Sequence, residues 1–244
     1  MAPAPPASTT SRRAGSPGPW PRGTIPVLGL IGEIGAGKSR AAERLARLGA
    51  AVIDADAVGH AVLRRRAVRD ELAARFGAGI LDPSGPIDRR ALGAIVFADP
   101  EARRDLEAIV HPRMRRLFER AIDRAARRGE AKAVVLDAAI LLEAGWDVLC
   151  DRIIFVAAPR DQRLARLAEQ RGWTETVLQA RERAQWPSDR KRARADAIVA
   201  NDAGIDRLAE QIAQLWPRLL SPSSSTDVRE RQPHVFPERL SNVS

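Results

Sequence analysis

The chain carries five short apolar runs: Val27 to Ile31, Ala50 to Ile53, Ala133 to Leu136, Ile153 to Ala158 (entered from Arg152) and Ala197 to Ala200. Unbroken runs of this kind suit strands covered on both faces, whereas a half-exposed strand alternates apolar and polar residues. Between the runs the period lengthens to that of a helix. Ala41, Leu45 and Leu48 recur at helical spacing before Gly49 ends the segment, and Leu208, Ile212 and Leu215 do so between Ile205 and about Trp216. Strands alternating with helices predict an α/β fold, a parallel sheet of at least five strands flanked by helices.

Two longer stretches interrupt the alternation. From about Ala57 to Glu130 the pattern is helical over Val68 to Phe76, Arg89 to Phe97, and Glu101 through Arg128. Asp82-Pro83-Ser84-Gly85-Pro86 reads as a turn, and Pro112, following His111, is expected to kink or restart the longest helix. The second stretch holds two arginine-rich helices, Asp161 to Arg171 and Val177 to Gln185, around Gly172-Trp173-Thr174. The expected organisation is a core from 24–57, 131–160 and 195–220, a helical insert at 58–130 and a second at 161–194. Residues 1–23 are rich in Pro, Ala, Ser and Arg without the apolar stretch of a secretory signal, and read as a disordered tail; the same composition suits an organelle transit peptide. Residues 221–244 open Ser- and Pro-rich, lack periodicity and read as a second disordered tail.

Candidate chemistry sits where the first apolar run ends. Gly32-Glu33-Ile34-Gly35-Ala36-Gly37-Lys38-Ser39 fits G-x-x-x-x-G-K-[ST] with a strand before it and a helix after it, the setting a phosphate-binding loop requires. Backbone N–H groups of Gly35, Ala36, Gly37 and Lys38 are candidates to converge on polyphosphate oxygens, Lys38 adds a mobile charge, and Ser39 is a candidate magnesium ligand. ATP and Mg²⁺ are the ligands this predicts. Asp54-Ala55-Asp56 comes after the second run as a loop at a strand's carboxyl end, where open parallel sheets bind ligands. Asp56 is the candidate to orient and deprotonate an acceptor hydroxyl, with helix capping as the competing role. Asp137 ends the third run, to hold a metal-bound water or to cap the next segment. Arg166 and Arg171 are candidate cations for the transferring phosphate, and solvated helix faces are their alternative. A kinase acting on a small molecule fits these parts better than a GTPase, because no Asn-Lys-x-Asp segment is present.

Composition narrows the picture. The net charge of +9 is carried almost wholly by arginine, since Lys38, Lys132 and Lys191 are the only lysines, and many arginines lie near Asp or Glu at helical spacing. With no tyrosine and 4% aromatics, base-stacking platforms are not expected, so nucleic acid is not the predicted partner. The apolar stretch from Ala133 to Trp146 is broken by Asp137 and Glu143, so no membrane span is expected. A single cysteine, Cys150, rules out an intramolecular disulfide and agrees with a cytoplasmic enzyme, expected to be a monomer or weak oligomer.

Taken in order, the loop Gly32 to Ser39, Val52-Ile53-Asp54-Ala55-Asp56, Phe76-Gly77, Asp88-Arg89-Arg90-Ala91-Leu92, Ile95-Val96-Phe97, Leu106-Glu107, His111-Pro112, Leu141-Leu142-Glu143 and Ala195-Asp196-Ala197-Ile198-Val199 with Asn201 resemble dephospho-CoA kinase from Val27 to about Leu219. The resemblance implies transfer of the ATP γ-phosphate to the ribose 3′-hydroxyl of dephospho-CoA. It implies that the insert at 58–130 binds substrate and that 161–194 is a lid. It makes Asp56 the acceptor-side acid, Arg166 a lid arginine reaching the phosphates, and His111 and Arg89 substrate-side residues. Three positions depart from the family pattern: Glu33 stands for a glycine, Arg40 for a threonine, and Ala138-Ala139-Ile140 lacks a usual proline. Arg40 and Glu33 are expected to place a cation and an anion beside the phosphates, partly offsetting each other.

Overall fold

The computed structural model describes Trp20, residues 24–222 and the pair 234–235. Five parallel strands form at the five apolar runs: β1 (Val27–Gly32), β2 (Ala50–Asp54), β3 (Ala133–Asp137), β4 (Arg152–Ala157) and β5 (Ala197–Ala200). A sixth short parallel strand, β6 (His234–Val235), pairs with Ala197 and Ile198 inside the stretch expected to be a disordered tail. The order is β2-β3-β1-β4-β5-β6, with the phosphate-loop strand in the interior of the sheet. The remaining residues of the two expected tails, apart from Trp20, Ser221 and Pro222, lie outside the described residues. Trp20 is itself buried, and the Arg152 guanidinium lies 5.7 Å from its ring centre.

Alternation of side chains across each strand divides the core into two layers. Leu28, Leu30, Val135, Ile154, Val156 and Val199 pack on Ala41 and Leu45 of α1 (Lys38–Arg47) and on Leu208, Ile212 and Leu215 of α9 (Ile205–Leu220). The opposite face, with Ile31, Leu136, Phe155 and Ile198, is covered by helices inserted between β2 and β3: α2 (Ala55–Leu63), α3 (Arg66–Phe76), α4 (Arg89–Ala98) and α5 (Pro100–Arg128). Between β4 and β5 lie α6 (Arg160–Arg171), α7 (Glu175–Arg183) and α8 (Ser188–Arg192).

Three local expectations are corrected. Residues 55 and 56 are helical rather than loop, because the Asp54 carboxylate accepts from the Ala57 N–H at 3.0 Å and opens α2. The second strand is not fully buried; it is the sheet's edge, and Val52 is 38% exposed. Helix α5 does not restart at Pro112. Its buried stripe, Val110, Met114, Phe118 and Ile122, runs past the proline at a constant four-residue step, and the Arg113 guanidinium donates to the Ile109 carbonyl one turn back, on the same side of the break as the missing Pro112 N–H. The arginine-rich faces are largely solvated: Arg66–Asp70, Arg103–Glu107 and Arg115–Glu119 are pairs one helical turn apart. Among the described residues no helix is long and apolar enough to cross a membrane.

Candidate active site

Parallel pairing brings Gly32, Asp54, Asp137, Ala157 and Ala200 to one edge of the sheet, with Asp54 directly opposite Asp137. The loop from β1 to α1 is shaped by two glycines in the left-handed region, Gly35 at φ 80° and Gly37 at φ 87°. Each also admits a close neighbour. A Cβ on Gly35 would fall 2.9 Å from Leu167 of α6, and one on Gly37 would fall 2.3 Å from the Asn201 amide nitrogen. The next N–H groups begin α1 and have no preceding carbonyl of their own helix, which makes this turn an anion site. Ala36 differs from its neighbours, since its N–H closes a turn onto the Glu33 carbonyl at 3.0 Å.

Lys38 Nζ bonds Asp137 Oδ1, with the two side chains 21% and 13% exposed. Burial pushes the Asp137 carboxyl above its ordinary range against the pull of Lys38, and Asp54 and Asp56 add like-charge repulsion. Three carboxylates are thus set against one lysine, and a further cation is electrostatically welcome. Among the described residues no three His, Cys, Asp or Glu side chains are grouped to hold a metal. An ion here would take hard oxygen ligands from Ser39, at the start of α1, from Asp137 and from a bound phosphate, which suits Mg²⁺.

Cations gather on the other side of the loop. Arg166 Nη2 donates to Gln162 Oε1 (2.9 Å) and to the Asn201 carbonyl (3.0 Å), while its Nη1 is buried without a protein partner. Burial, and then the adjacent Arg40 cation, make Arg166 less basic than an ordinary arginine. Two mutually repelling guanidinium groups beside a phosphate loop call for an anion between them. Arg171, the other candidate cation, lies over the Trp173 ring at 5.2 Å, with Arg181 also within cation–π range of it at 5.1 Å.

Glu33 does not face the phosphate position. Its carboxylate accepts the Ala158 N–H at 3.1 Å and lies 3.7 Å from Arg163 Nε, so the expected offset between Glu33 and Arg40 is not built. Asp56 occupies the first turn of α2, and His60, one turn on, lies in contact with Arg89 of α4; Asp56 and Arg89 therefore belong to one neighbourhood. His111, the other candidate on the acceptor side, makes a packing contact. Its ring meets Trp146 edge to face at 4.9 Å, and burial lowers its proton affinity against the opposing pull of Glu107.

Sequence reasoning missed His60, Arg163 and Lys191. Buried Lys191 reaches Glu143 and Gln185, each at 2.8 Å, and the Ala139 carbonyl at 3.1 Å, tying α8 to the segment after β3. Lys191 being one of only three lysines was the available signal. Asn201, almost fully buried, donates to the Ala36 carbonyl at 2.8 Å and so braces the loop.

The family model for dephospho-CoA kinase matches residues 26–207. A dephospho-CoA kinase of Symbiobacterium thermophilum is 42% identical over 191 residues, spanning 78% of this chain and 80% of the relative, and one of Geobacter metallireducens is 43% identical over 191 residues, spanning 78% and 94%. Among solved structures, TT1252 from Thermus thermophilus superposes with a TM-score of 0.71 at 34% identity, over 81% of this chain and 98% of the other. A dephospho-CoA kinase from Campylobacter jejuni shares the fold, with a TM-score of 0.60 at 23% identity over 79% and 96%.

Proposed function

Because this chain belongs to the dephospho-CoA kinase family, we propose that its sheet edge is organised to carry the γ-phosphate of ATP to the ribose 3′-hydroxyl of dephospho-CoA. The observation that carries this reading is the division of charge across the loop: Arg40 and Arg166 repel each other on one side, where Arg166 Nη1 is buried without a protein partner among the described residues, and Asp54, Asp56 and Asp137 lie on the other. A triphosphate fills the first and a hydroxyl with its counter-ion fills the second.

Phosphoryl transfer asks the protein mainly for positioning and charge. The N–H groups of Gly35 and Gly37 and the first N–H groups of α1 hold the β- and γ-phosphates, with Ala36 shaping the turn between them. Lys38 leaves Asp137 to track the phosphate oxygens, and Arg166 with Arg40 neutralises the charge spread over the transferring group. Magnesium bound with ATP would be held by Ser39 and, directly or through water, by Asp137, and would supply charge neutralisation at the β- and γ-oxygens. Asp56 accepts the hydrogen bond of the acceptor hydroxyl, aligns it for in-line attack and takes its proton as the new O–P bond forms and the bond from the γ-phosphorus to the bridging oxygen breaks, that oxygen leaving with ADP. Arg89, in contact with His60 on the helix that carries Asp56, is suited to a phosphate of the acceptor. In this scheme the 58–130 helices receive the acceptor and the 161–194 helices close over ATP.

The test is acceptor choice. Incubated with ATP and magnesium, the protein releases ADP with dephospho-CoA and not with shikimate or nucleoside monophosphates. Faster turnover on one of those controls would move the chain to another small-molecule kinase activity.

A further inference from the structure

Arg163 is about one-twentieth exposed, and no part of the phosphoryl-transfer scheme uses it. Burying a guanidinium is costly unless its donors are spent on well-placed acceptors. Here the planar group reaches three: the Ile34 carbonyl inside the phosphate loop (3.0 Å), the Ala158 carbonyl after β4 (3.2 Å) and Glu182 Oε1 on α7 (2.8 Å). The contact with Ile34 has a geometric consequence. Every described peptide is trans, so the C=O of one residue and the N–H of the next point in opposite directions. Drawing the Ile34 carbonyl toward Arg163 turns the Gly35 N–H away from α6, toward the phosphate position. Asn201 does the same two residues later, holding the Ala36 carbonyl and turning the Gly37 N–H.

The link continues outward. The two carboxylate oxygens of Glu182 bind Arg163 and Arg160, which are one turn apart on α6, and Arg160 also binds Glu175 at the start of α7. Burial alone would raise the Glu182 carboxyl, but the hydrogen bonds from Arg160 and Arg163 outweigh it and keep the group below its usual range. Glu33 completes the inner end, spanning the Ala158 N–H and the Arg163 Nε.

We propose that Arg163 is a positioning residue that orients the phosphate loop for ATP and, through Glu182, couples the loop to the α6–α7 helices. The inference rests on the loop being the ATP cradle. A lysine does not reproduce it, because an ammonium cannot span three acceptors with a fixed fork.

The test compares wild type with Arg163→Lys, Arg163→Gln and Glu182→Gln full chains. ATP affinity is measured by calorimetry, the KM for dephospho-CoA by turnover, and amide hydrogen exchange is monitored over residues 175–183 with and without ATP. Arg163→Gln should weaken ATP about tenfold with the acceptor KM held, and Arg163→Lys should recover only part of that loss. Glu182→Gln should bind ATP within about twofold of wild type, yet lose the protection that ATP confers on 175–183. The proposal is overturned if folded Arg163→Gln binds ATP as wild type does, or if Glu182→Gln keeps the full ATP-induced protection. Should Arg163→Gln fail to melt cooperatively, the partly exposed Glu182 site decides alone. ATP binding and exchange need no turnover, so a wrong acceptor assignment would leave these readouts standing.

Discussion

Lys38 and Asp137 are bonded to each other across the mouth of the phosphate loop, each mostly shielded from water. The pair joins the end of β3 to the start of α1, and it must open for the lysine to reach a phosphate. Each partner therefore holds the other's charge as long as the contact is closed.

Removing the lysine should show both roles. Lys38→Ala is expected to lower turnover by about 10²–10³-fold and to weaken ATP, because a positioned donor to the transferring phosphate is lost. It also leaves a buried carboxylate without its partner, so Asp137 should take up a proton at higher pH than in wild type. Steady-state kinetics and titration of the Asp137 carboxyl by carbon NMR check the two halves. Unchanged turnover would remove Lys38 from the mechanism.

Gly37→Ala should damage the loop while Gly93→Ala should not. The first puts a side chain at φ 87° and 2.3 Å from Asn201, costing about 1–2 kcal/mol from the backbone conformation alone. The second places a methyl in open space on α4 and should stabilise by about 0.5–1 kcal/mol. Chemical denaturation together with ATP binding measures both, and equal behaviour of the two variants would contradict the loop geometry.

His111 should make the protein acid-sensitive. Its folded-state proton affinity is depressed from the ordinary 6.5, so the stability it contributes is complete above 6.5 and is lost as pH falls through the folded value. His111→Phe preserves an edge-to-face ring on Trp146 and removes the titration. The variant's melting temperature should fall less than that of wild type between about pH 7 and 5, with the KM for dephospho-CoA within about twofold. A large rise in that KM would instead place the imidazole against the acceptor.

Lys191→Met should be costly, because it removes the counter-charge of Glu143, which keeps only the Trp186 N–H on one oxygen while the other is already buried without a partner. A loss of about 3–5 kcal/mol is expected, lowering the melting temperature by roughly 10 °C. Pairing it with Glu143→Leu should recover part of that loss, the remainder being the Trp186 N–H left without its acceptor. A single variant as stable as wild type would show that the ion pair is not what holds α8 in place.

Much of the fold and of the loop is legible in the sequence, for reasons that differ by residue. The five strands announce themselves because a sheet covered on both faces needs uninterrupted apolar runs, and the loop does so because its glycines and lysine have fixed spacing. Local rules fail where tertiary packing decides the outcome. Pro112 does not end its helix because the Val110–Met114–Phe118–Ile122 stripe is anchored on both sides of it. Asp54 is a cap where a loop is expected, and Glu33 turns from the phosphates because Ala158 and Arg163, some 125 and 130 residues on, offer it better partners. Arg163 itself is one arginine among many. Its burial, not its identity, sets it apart, and burial across such separations leaves no local pattern to read.

The most direct measurement of the role given to Asp56 is a single-turnover comparison of wild type and Asp56→Asn, each preloaded with ATP, magnesium and dephospho-CoA, with the product resolved by phosphorus NMR. Wild type should give coenzyme A phosphorylated at the ribose 3′ position. Asp56→Asn should bind ATP normally and transfer phosphate about 10²–10⁴-fold more slowly. Transfer by Asp56→Asn at the wild-type rate, or phosphate appearing at another hydroxyl in the wild-type product, would contradict it.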